Sequence, residues 1–278
     1  MIGRILAATD LSTRGERALG RALRLRRRFG AQLTVLHVVE DELPEPIATR
    51  RAEEARELID RQLRARGEPP DLEATAVEVA FGTGYAAVIQ RAQALGAGLT
   101  VLGSHRENTW RDLFLGSTIE RVLRQGSTPV LTVRQEPSAD YRRVLVAVDF
   151  SVYSRRALEF ACRLVPDGEF VVLHGYDLPF AGFLSEPPPR EAVLLEGEIL
   201  EQMRALLRDL PIAPGRIRPE VRLGGALPSV EAAVGEFAPD LLVVGTHGRA
   251  GVARALLGSV AERLLRRPRC DVLAVRAW

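Results

Sequence analysis

The sequence predicts a tandem pair of α/β units, each a doubly wound, Rossmann-like parallel sheet with helices on both faces. Three observations carry this. The chain has 278 residues, about twice the commonest domain length. It also repeats itself: Arg4-Ile-Leu-Ala-Ala-Thr-Asp10-Leu-Ser12 lies over Arg143-Val-Leu-Val-Ala-Val-Asp149-Phe-Ser151. Residues 4–19 and 143–158 agree at 8 of 16 positions, and residues 114–134 and 256–276 at 11 of 21. Within each copy, short β-branched runs alternate with longer amphipathic stretches, and near-continuous apolar strands such as Leu241-Leu-Val-Val244 belong in a sheet buried on both faces. Right-handed crossovers between such strands give the doubly wound layout.

In the first copy, residues 4–9 form a strand. Residues 14–29 place Ala18, Leu19, Ala22, Leu25 and Phe29 at helical spacing and stop at Gly30, a residue suited to a left-handed C-cap. A strand over 33–39, a helix over 49–66 ended by Gly67, and a strand over 73–79 follow. A helix over 85–95, a strand over 99–103, a helix over 117–125 and a strand over 130–133 complete the copy. The second copy repeats the pattern over residues 143–275. Between them, Gln135-Glu-Pro-Ser-Ala-Asp140 is polar and holds a proline, as linkers do, so the domains are predicted as 1–137 and 140–278.

Composition narrows the function classes. Hydrophobic residues make up 46% and charged residues 27%, ordinary globular usage that excludes disorder and low complexity. The 38 basic residues, all arginine, against 36 acidic ones leave a net charge of +2, too near balance to predict a polyanion partner. Without lysine the chain cannot supply a P-loop lysine, a Schiff base or a Ser-Lys dyad. Cys162 and Cys270 are too few for a disulfide framework or a Cys-rich metal site and fit a reducing cytosol. No apolar run reaches the roughly 18 residues of a spanning helix, and the N-terminus meets Asp10 too early for a signal peptide. The expectation is a cytoplasmic protein without membrane association.

In an open parallel sheet, ligands bind beyond the carboxyl ends of strands where the strand order reverses. After the first strand each copy carries Asp (Asp10, Asp149) and then Ser (Ser12, Ser151), just before a helix. After the fourth strand the second copy reads Gly245-Thr246-His247-Gly248-Arg249 and, nine residues beyond Gly248, Gly258-Ser259-Val260 opening a helix. Glycines let amides approach oxygen closely and a helix N-terminus adds partial positive charge, so this is a phosphate cradle. Gly-x-x-Gly, nine residues, Gly-Ser resembles the ATP-binding signature of the universal stress protein family, and both halves open as that family does, with an apolar strand, Asp, x, Ser. The resemblance covers essentially the whole chain. It implies five-stranded parallel sheets of order 3-2-1-4-5. It further implies ATP, with Mg²⁺ possible beside it, held between the first- and fourth-strand loops. Asp149 would meet adenine or ribose, and Gly245, Thr246, His247, Gly248, Arg249, Gly258, Ser259 and Val260 would surround ribose and phosphates.

The first copy departs from the signature. Gly103-Ser104-His105-Arg106 sets Arg106 where the second glycine belongs, while Gly116-Ser117 is kept. Either the side chain fills the space the phosphate-facing backbone needs, or the guanidinium grips phosphate bidentately. Glu107, Trp110, Asp112 and Phe114 stand in a loop whose counterpart carries Arg249, Gly251, Arg254 and Leu256, and added acid and bulk disfavour a polyanion. A second site would use Asp10, Gly103, Arg106, Gly116 and Ser117; the expectation is that it is degenerate.

Other features have plainer readings. His37 pairs with His174 and His105 with His247 across the repeat, but no thiol or carboxylate cluster accompanies them at ligand spacing, so His37 and His174 are expected to be structural and His105 and His247 to line the loops. Gly82-Thr-Gly-Tyr-Ala-Ala87 matches a dinucleotide fingerprint but follows the third strand, and the second copy lacks it; it reads as a turn. Arg21, Arg24, Arg26, Arg27 and Arg28, like Arg263, Arg266, Arg267 and Arg269, complement helix C-termini, and aromatic interleaving for nucleic acid is missing. Cys162 is expected to pack.

The leading function is therefore a nucleotide-dependent regulatory module of the stress response, with no metal-holding or catalytic residues of its own. The resemblance implies slow hydrolysis at most, and residues 249–257 offer arginines and no acid, whereas efficient phosphoryl transfer needs a metal-holding acid and a base. An ATP hydrolase or adenylyl-transferring enzyme and a nucleotide-free docking scaffold are the alternatives. Apolar edge strands at 130–133 and 272–275 leave pairing open, between the halves or in a homodimer.

Overall fold

The computed structural model describes residues 2–104, 118–177, 189–213, 215–246, 258–266 and 269–276. The chain divides into two compact units, Met1–Asp140 and Tyr141–Ala277. In the first, the chain runs β1 (Arg4–Ala8), α1 (Thr13–Phe29), β2 (Gln32–Val39), α2 (Glu45–Arg66), α3 (Pro69–Glu73), β3 (Thr75–Phe81), α4 (Gly84–Leu95), β4 (Leu99–Gly103), α5 (Thr118–Gln125) and β5 (Val130–Val133). The pairings are all parallel and run β3-β2-β1-β4-β5. Because β1 pairs with both β2 and β4, the order reverses at its carboxyl end, which is where a crevice opens in such sheets.

The second unit repeats this with β6 (Arg143–Ala147), α6 (Val152–Leu164), β7 (Glu169–Tyr176), α7 (Pro189–Leu207), β8 (Ile217–Leu223), α8 (Ala226–Phe237), β9 (Leu241–Gly245), α9 (Ser259–Arg266) and β10 (Asp271–Val275). Its parallel pairings run β8-β7-β6-β9-β10, with the reversal at β6. In both units the central strands are buried except at their ends, as continuous apolar runs require.

Local chemistry sets the helix ends. Ser12 caps α1 by accepting from the Gly15 amide, and Gly30 closes it at φ 59°. Two elements differ by more than one residue from those read in the sequence, α2 and β3, the latter running Thr75–Phe81 rather than 73–79. Helix α2 starts at Glu45, because Pro46 sits in its first turn, where its fixed φ suits a helix and its missing N–H costs nothing. Strand β3 starts at Thr75, because Pro69 likewise opens α3, a short helix the apolar pattern does not announce. Helix α1 lies over β1, β2, β4 and β5 beside α2 and α3, while α4 and α5 pack together as the other layer.

The basic end of α1 is consumed within its own unit. Arg17, Arg21, Arg24 and Arg28 follow one face of the helix and grip the segment leading out of β5. Arg17 donates to the Arg134 carbonyl, Arg21 to the Ala139 carbonyl, and Arg24 and Arg28 to the Asp140 carboxylate. Pro137 is seated over Gly20, where a Cβ would lie 2.8 Å from its ring. Arg26 and Arg27 turn instead to Asp71. Residues 134–140 therefore run fastened along α1, and the arginines act as helix-end and strap ligands.

One pair of core groups is poorly served. Thr100 and Thr132 are fully buried on β4 and β5, and their hydroxyls have no hydrogen-bond partner among the described residues. A buried hydroxyl left unpaired costs about 1 kcal/mol or more. Thr100→Val is expected to raise the stability of the first unit by about 1 kcal/mol, read as a higher urea midpoint at unchanged slope; a lower midpoint would mean the hydroxyl has a partner.

Candidate functional site

The candidate residues after the first strand sit on a strained turn. Leu11 and Phe150, at equivalent places in the repeat, both take φ 61°, a left-handed conformation that an L side chain adopts at a cost of roughly 1–2 kcal/mol. The turn is held by Asp10 Oδ1 accepting from the Ser12 amide and Asp149 Oδ1 from the Ser151 amide, each at 3.0 Å. In the first unit Thr9 Oγ1 also accepts from the Leu11 amide at 3.0 Å. Ser151 then caps α6 by accepting from the Ser154 amide.

A histidine on the second strand of each unit braces this turn. His37 Nδ1 lies 2.9 Å from the Thr9 carbonyl, and His174 Nδ1 lies 2.7 Å from that of Val148. The Phe150 ring tilts over His174 with centroids 4.5 Å apart, and Phe150 packs on Tyr176 and Ile199. Each imidazole thus ties the ends of two neighbouring strands together.

After the fourth strand, Gly103 and Gly245 are required by packing. A Cβ on Gly103 would lie 2.8 Å from the Arg14 carbonyl oxygen, and one on Gly245 would lie 2.9 Å from the Ser154 amide nitrogen and the Tyr153 carbonyl carbon. The first glycine of each loop therefore lets a helix N-terminus approach the strand end. Thr246 is buried and donates its amide to the Val275 carbonyl, as Ser104 does to Val133. Gly258 donates to the Thr246 carbonyl at 2.8 Å and accepts from Glu262 at 2.9 Å. The Gly258 amide is thus spent on closing the loop, and the amides of residues 259–261, at the start of α9, have no acceptor within the helix.

The structure brings Asp149, Gly245, Thr246, Gly258 and Val260 to the carboxyl ends of β6 and β9, and Asp10 and Gly103 to those of β1 and β4. His105, Arg106, Gly116, Ser117, His247, Gly248 and Arg249 lie outside the described residues, as does the Ser259 side chain. Sequence reasoning missed Leu11, Phe150 and Ser154, since nothing in the residue types marks a left-handed turn at Leu or Phe.

Cysteine chemistry has no place here. Burial, the largest influence in each case, pushes the Cys162 thiol up to about 11 and the Cys270 thiol up to about 12, so neither is a thiolate at neutral pH. Among the described residues there is no group of three or more His, Cys, Asp or Glu able to hold a metal ion, and no helix long and apolar enough to cross a membrane.

Known proteins of the same kind agree with this layout. The profile of the universal stress protein family matches residues 1–134 and 140–276. The "Universal stress protein in QAH/OAS sulfhydrylase 3′ region" of Thermus aquaticus is 32% identical over 141 residues, spanning 49% of this chain and 99% of that protein. A universal stress protein of Mycobacterium tuberculosis is 26% identical over 274 residues, 88% of this chain and 87% of the relative. The crystal structure of a universal stress protein from Archaeoglobus fulgidus matches with a TM-score of 0.70 at 22% identity, covering 99% of each chain, which is a likeness of fold. With the family pattern filling both halves, the chain belongs to the universal stress protein family, as a tandem pair of its domains.

Proposed function

We propose that the second unit binds ATP at the carboxyl ends of β6 and β9, and that the chain works in the cytoplasm as a nucleotide-dependent regulatory module rather than an efficient enzyme. The observation that carries this reading is the 2.8 Å hydrogen bond from the Gly258 amide to the Thr246 carbonyl. It returns the N-terminus of α9 to the end of β9, so the first-turn amides and the positive end of the helix dipole gather where a polyphosphate would lie. Asp149, across the switch point, offers a carboxylate to adenine or ribose donors. The signature spacing from Gly245 to Ser259 supports the same placement. Mg²⁺ would travel on the triphosphate oxygens, with no cage of described protein ligands around it.

Titration calorimetry of the full chain with ATP and Mg²⁺ tests this. One site is expected; Asp149→Ala should weaken it about tenfold, near 1.4 kcal/mol, and Asp10→Ala should leave it unchanged. No heat, together with a melting temperature unmoved by excess ATP, overturns the binding site. ADP or AMP release at ordinary enzyme rates overturns the non-enzymatic part.

A further inference from the structure

We propose that the β3 edge of the first unit and the β8 edge of the second are guarded against strand addition by a second copy of this chain, the first by Arg56 and the second by Pro219. Among the described residues β3 pairs only with β2, and β8 only with β7. Each strand therefore turns a row of amides and carbonyls away from its sheet, and such a row is a template for another chain. Apolar tips add to the hazard. Phe81 and Leu223 end β3 and β8 at equivalent places in the repeat and are 54% and 51% exposed.

The ladder fixes which groups face outward. In the first unit the Leu33 amide donates to the Ala74 carbonyl, and the Gly82 amide to the Val39 carbonyl. Backbone groups alternate sides along a parallel strand, so residues 74, 76, 78, 80 and 82 face β2, while Thr75, Val77, Val79 and Phe81 face away. In the second unit the Phe170 amide donates to the Arg216 carbonyl, and the Gly224 amide to the Tyr176 carbonyl. Ile217, Pro219, Val221 and Leu223 are the outward set there.

Pro219 thus stands where its missing N–H costs the ladder nothing, as a proline within a strand requires. It is exposed, and its ring carbon occupies the place where a neighbouring strand would seek a donor. Val77 is its counterpart, opposite Val35 as Pro219 is opposite Val172. Val77 keeps its N–H, and a different device covers it. Arg56, exposed on α2, reaches over the edge and donates Nη1 to the Val77 carbonyl at 3.2 Å. An incoming strand would have to displace a charged group from that acceptor. Arg218 and Arg222, both paired with Glu220, add charge beside Pro219. The same outward residue of the duplicated edge is blocked in both units, by unrelated chemistry.

Light scattering of the full chain across a concentration series tests this. Removing one guard, by Arg56→Ala or Pro219→Val, should about double the particle mass relative to the wild type, because like edges then close across a two-fold axis. Removing both should give masses that keep growing with concentration, since β3 of one copy can take β8 of the next without closure. Pro219→Thr should act as Pro219→Val does, because the restored N–H and not apolar surface is the cause. Arg56→Lys, which keeps a donor, should hold the wild-type mass. Adding Val77→Pro to Arg56→Ala copies the guard of the other edge and should restore that mass. Masses equal to the wild type in every variant overturn the proposal, as does growth in Arg56→Ala that survives Val77→Pro. Association that accompanies a lowered urea midpoint is aggregation of unfolded chain and overturns it too.

Discussion

Gly245→Val is expected to lower the stability of the second unit by about 3 kcal/mol and to remove the proposed nucleotide binding with it. The site gives the new side chain no exit, since its first carbon would lie 2.9 Å from the Ser154 amide nitrogen and the Tyr153 carbonyl carbon and 3.1 Å from Tyr153 Cβ. Those atoms are mostly backbone, at the start of a helix whose cap is Ser151, so relief must come from moving α6 off β9. That displacement carries Ser151 and Asp149 with it, which links the packing defect to the site. Gly235→Ala is the matched contrast. Gly235 is an exposed residue in the last turn of α8, and a Cβ added to it would meet nothing within 4 Å, so alanine there should stabilise by about 0.5 kcal/mol. Far-UV circular dichroism in urea checks both; a Gly245→Val chain as stable as the wild type would mean that the approach of α6 to β9 is looser than the structure has it.

Most of the architecture was legible because burial writes itself into residue type. Apolar runs such as Leu241-Leu-Val-Val244 can be satisfied only between two helical layers, and the duplicated Asp-x-Ser turn marks which strand ends to inspect. Gly30 reads correctly as a left-handed cap, at φ 59°, but Gly67, which reads equally as a helix stop, is extended at φ −98°. The residue type alone does not separate a glycine needed for its dihedral from one that stands in a turn for other reasons. Gly96 and Ala238, equivalent in the repeat, both adopt the left-handed cap, at φ 58° and 46°, so the position rather than the residue sets that conformation. The same limit governs the candidate site. The signature makes Gly245 a phosphate neighbour for its lack of side chain, while the structure gives that lack a packing cause, and the Gly258 amide is spent on Thr246. Which atom meets which is a tertiary fact that spacing does not carry. The arginine run of α1 is the converse case: charge complementarity with Asp71, Glu136 and Asp140 spans elements far apart in sequence, so only its ordinary role at a helix end could be read.

Asp71→Ala should destabilise the first unit by about 2–3 kcal/mol at neutral pH, and the loss should shrink in acid. Asp71 is a buried carboxylate in α3, which the sequence pattern does not reveal. It accepts from Arg26 Nη1 and Arg27 Nε, each at 2.7 Å, and from the Glu68 amide at 2.9 Å. Burial pushes this carboxyl up, but the hydrogen bond and charge of Arg27, the Glu68 amide and Arg26 together hold it below the ordinary aspartate range. A group whose pKa is depressed on folding contributes stability that is fully present above its unfolded value, about 3.9, and lost as pH falls through the lower folded value. The wild type and Asp71→Ala should therefore differ by a constant amount from about pH 5 to 8 and converge below about pH 4. The arginines are partly solvated, with Arg27 37% exposed, which keeps the expected loss below that of a fully sequestered ion pair. Urea unfolding of both chains across this pH range gives the measurement. A difference that widens toward low pH would reverse the sign and show that burial, not the guanidinium pair, dominates at Asp71.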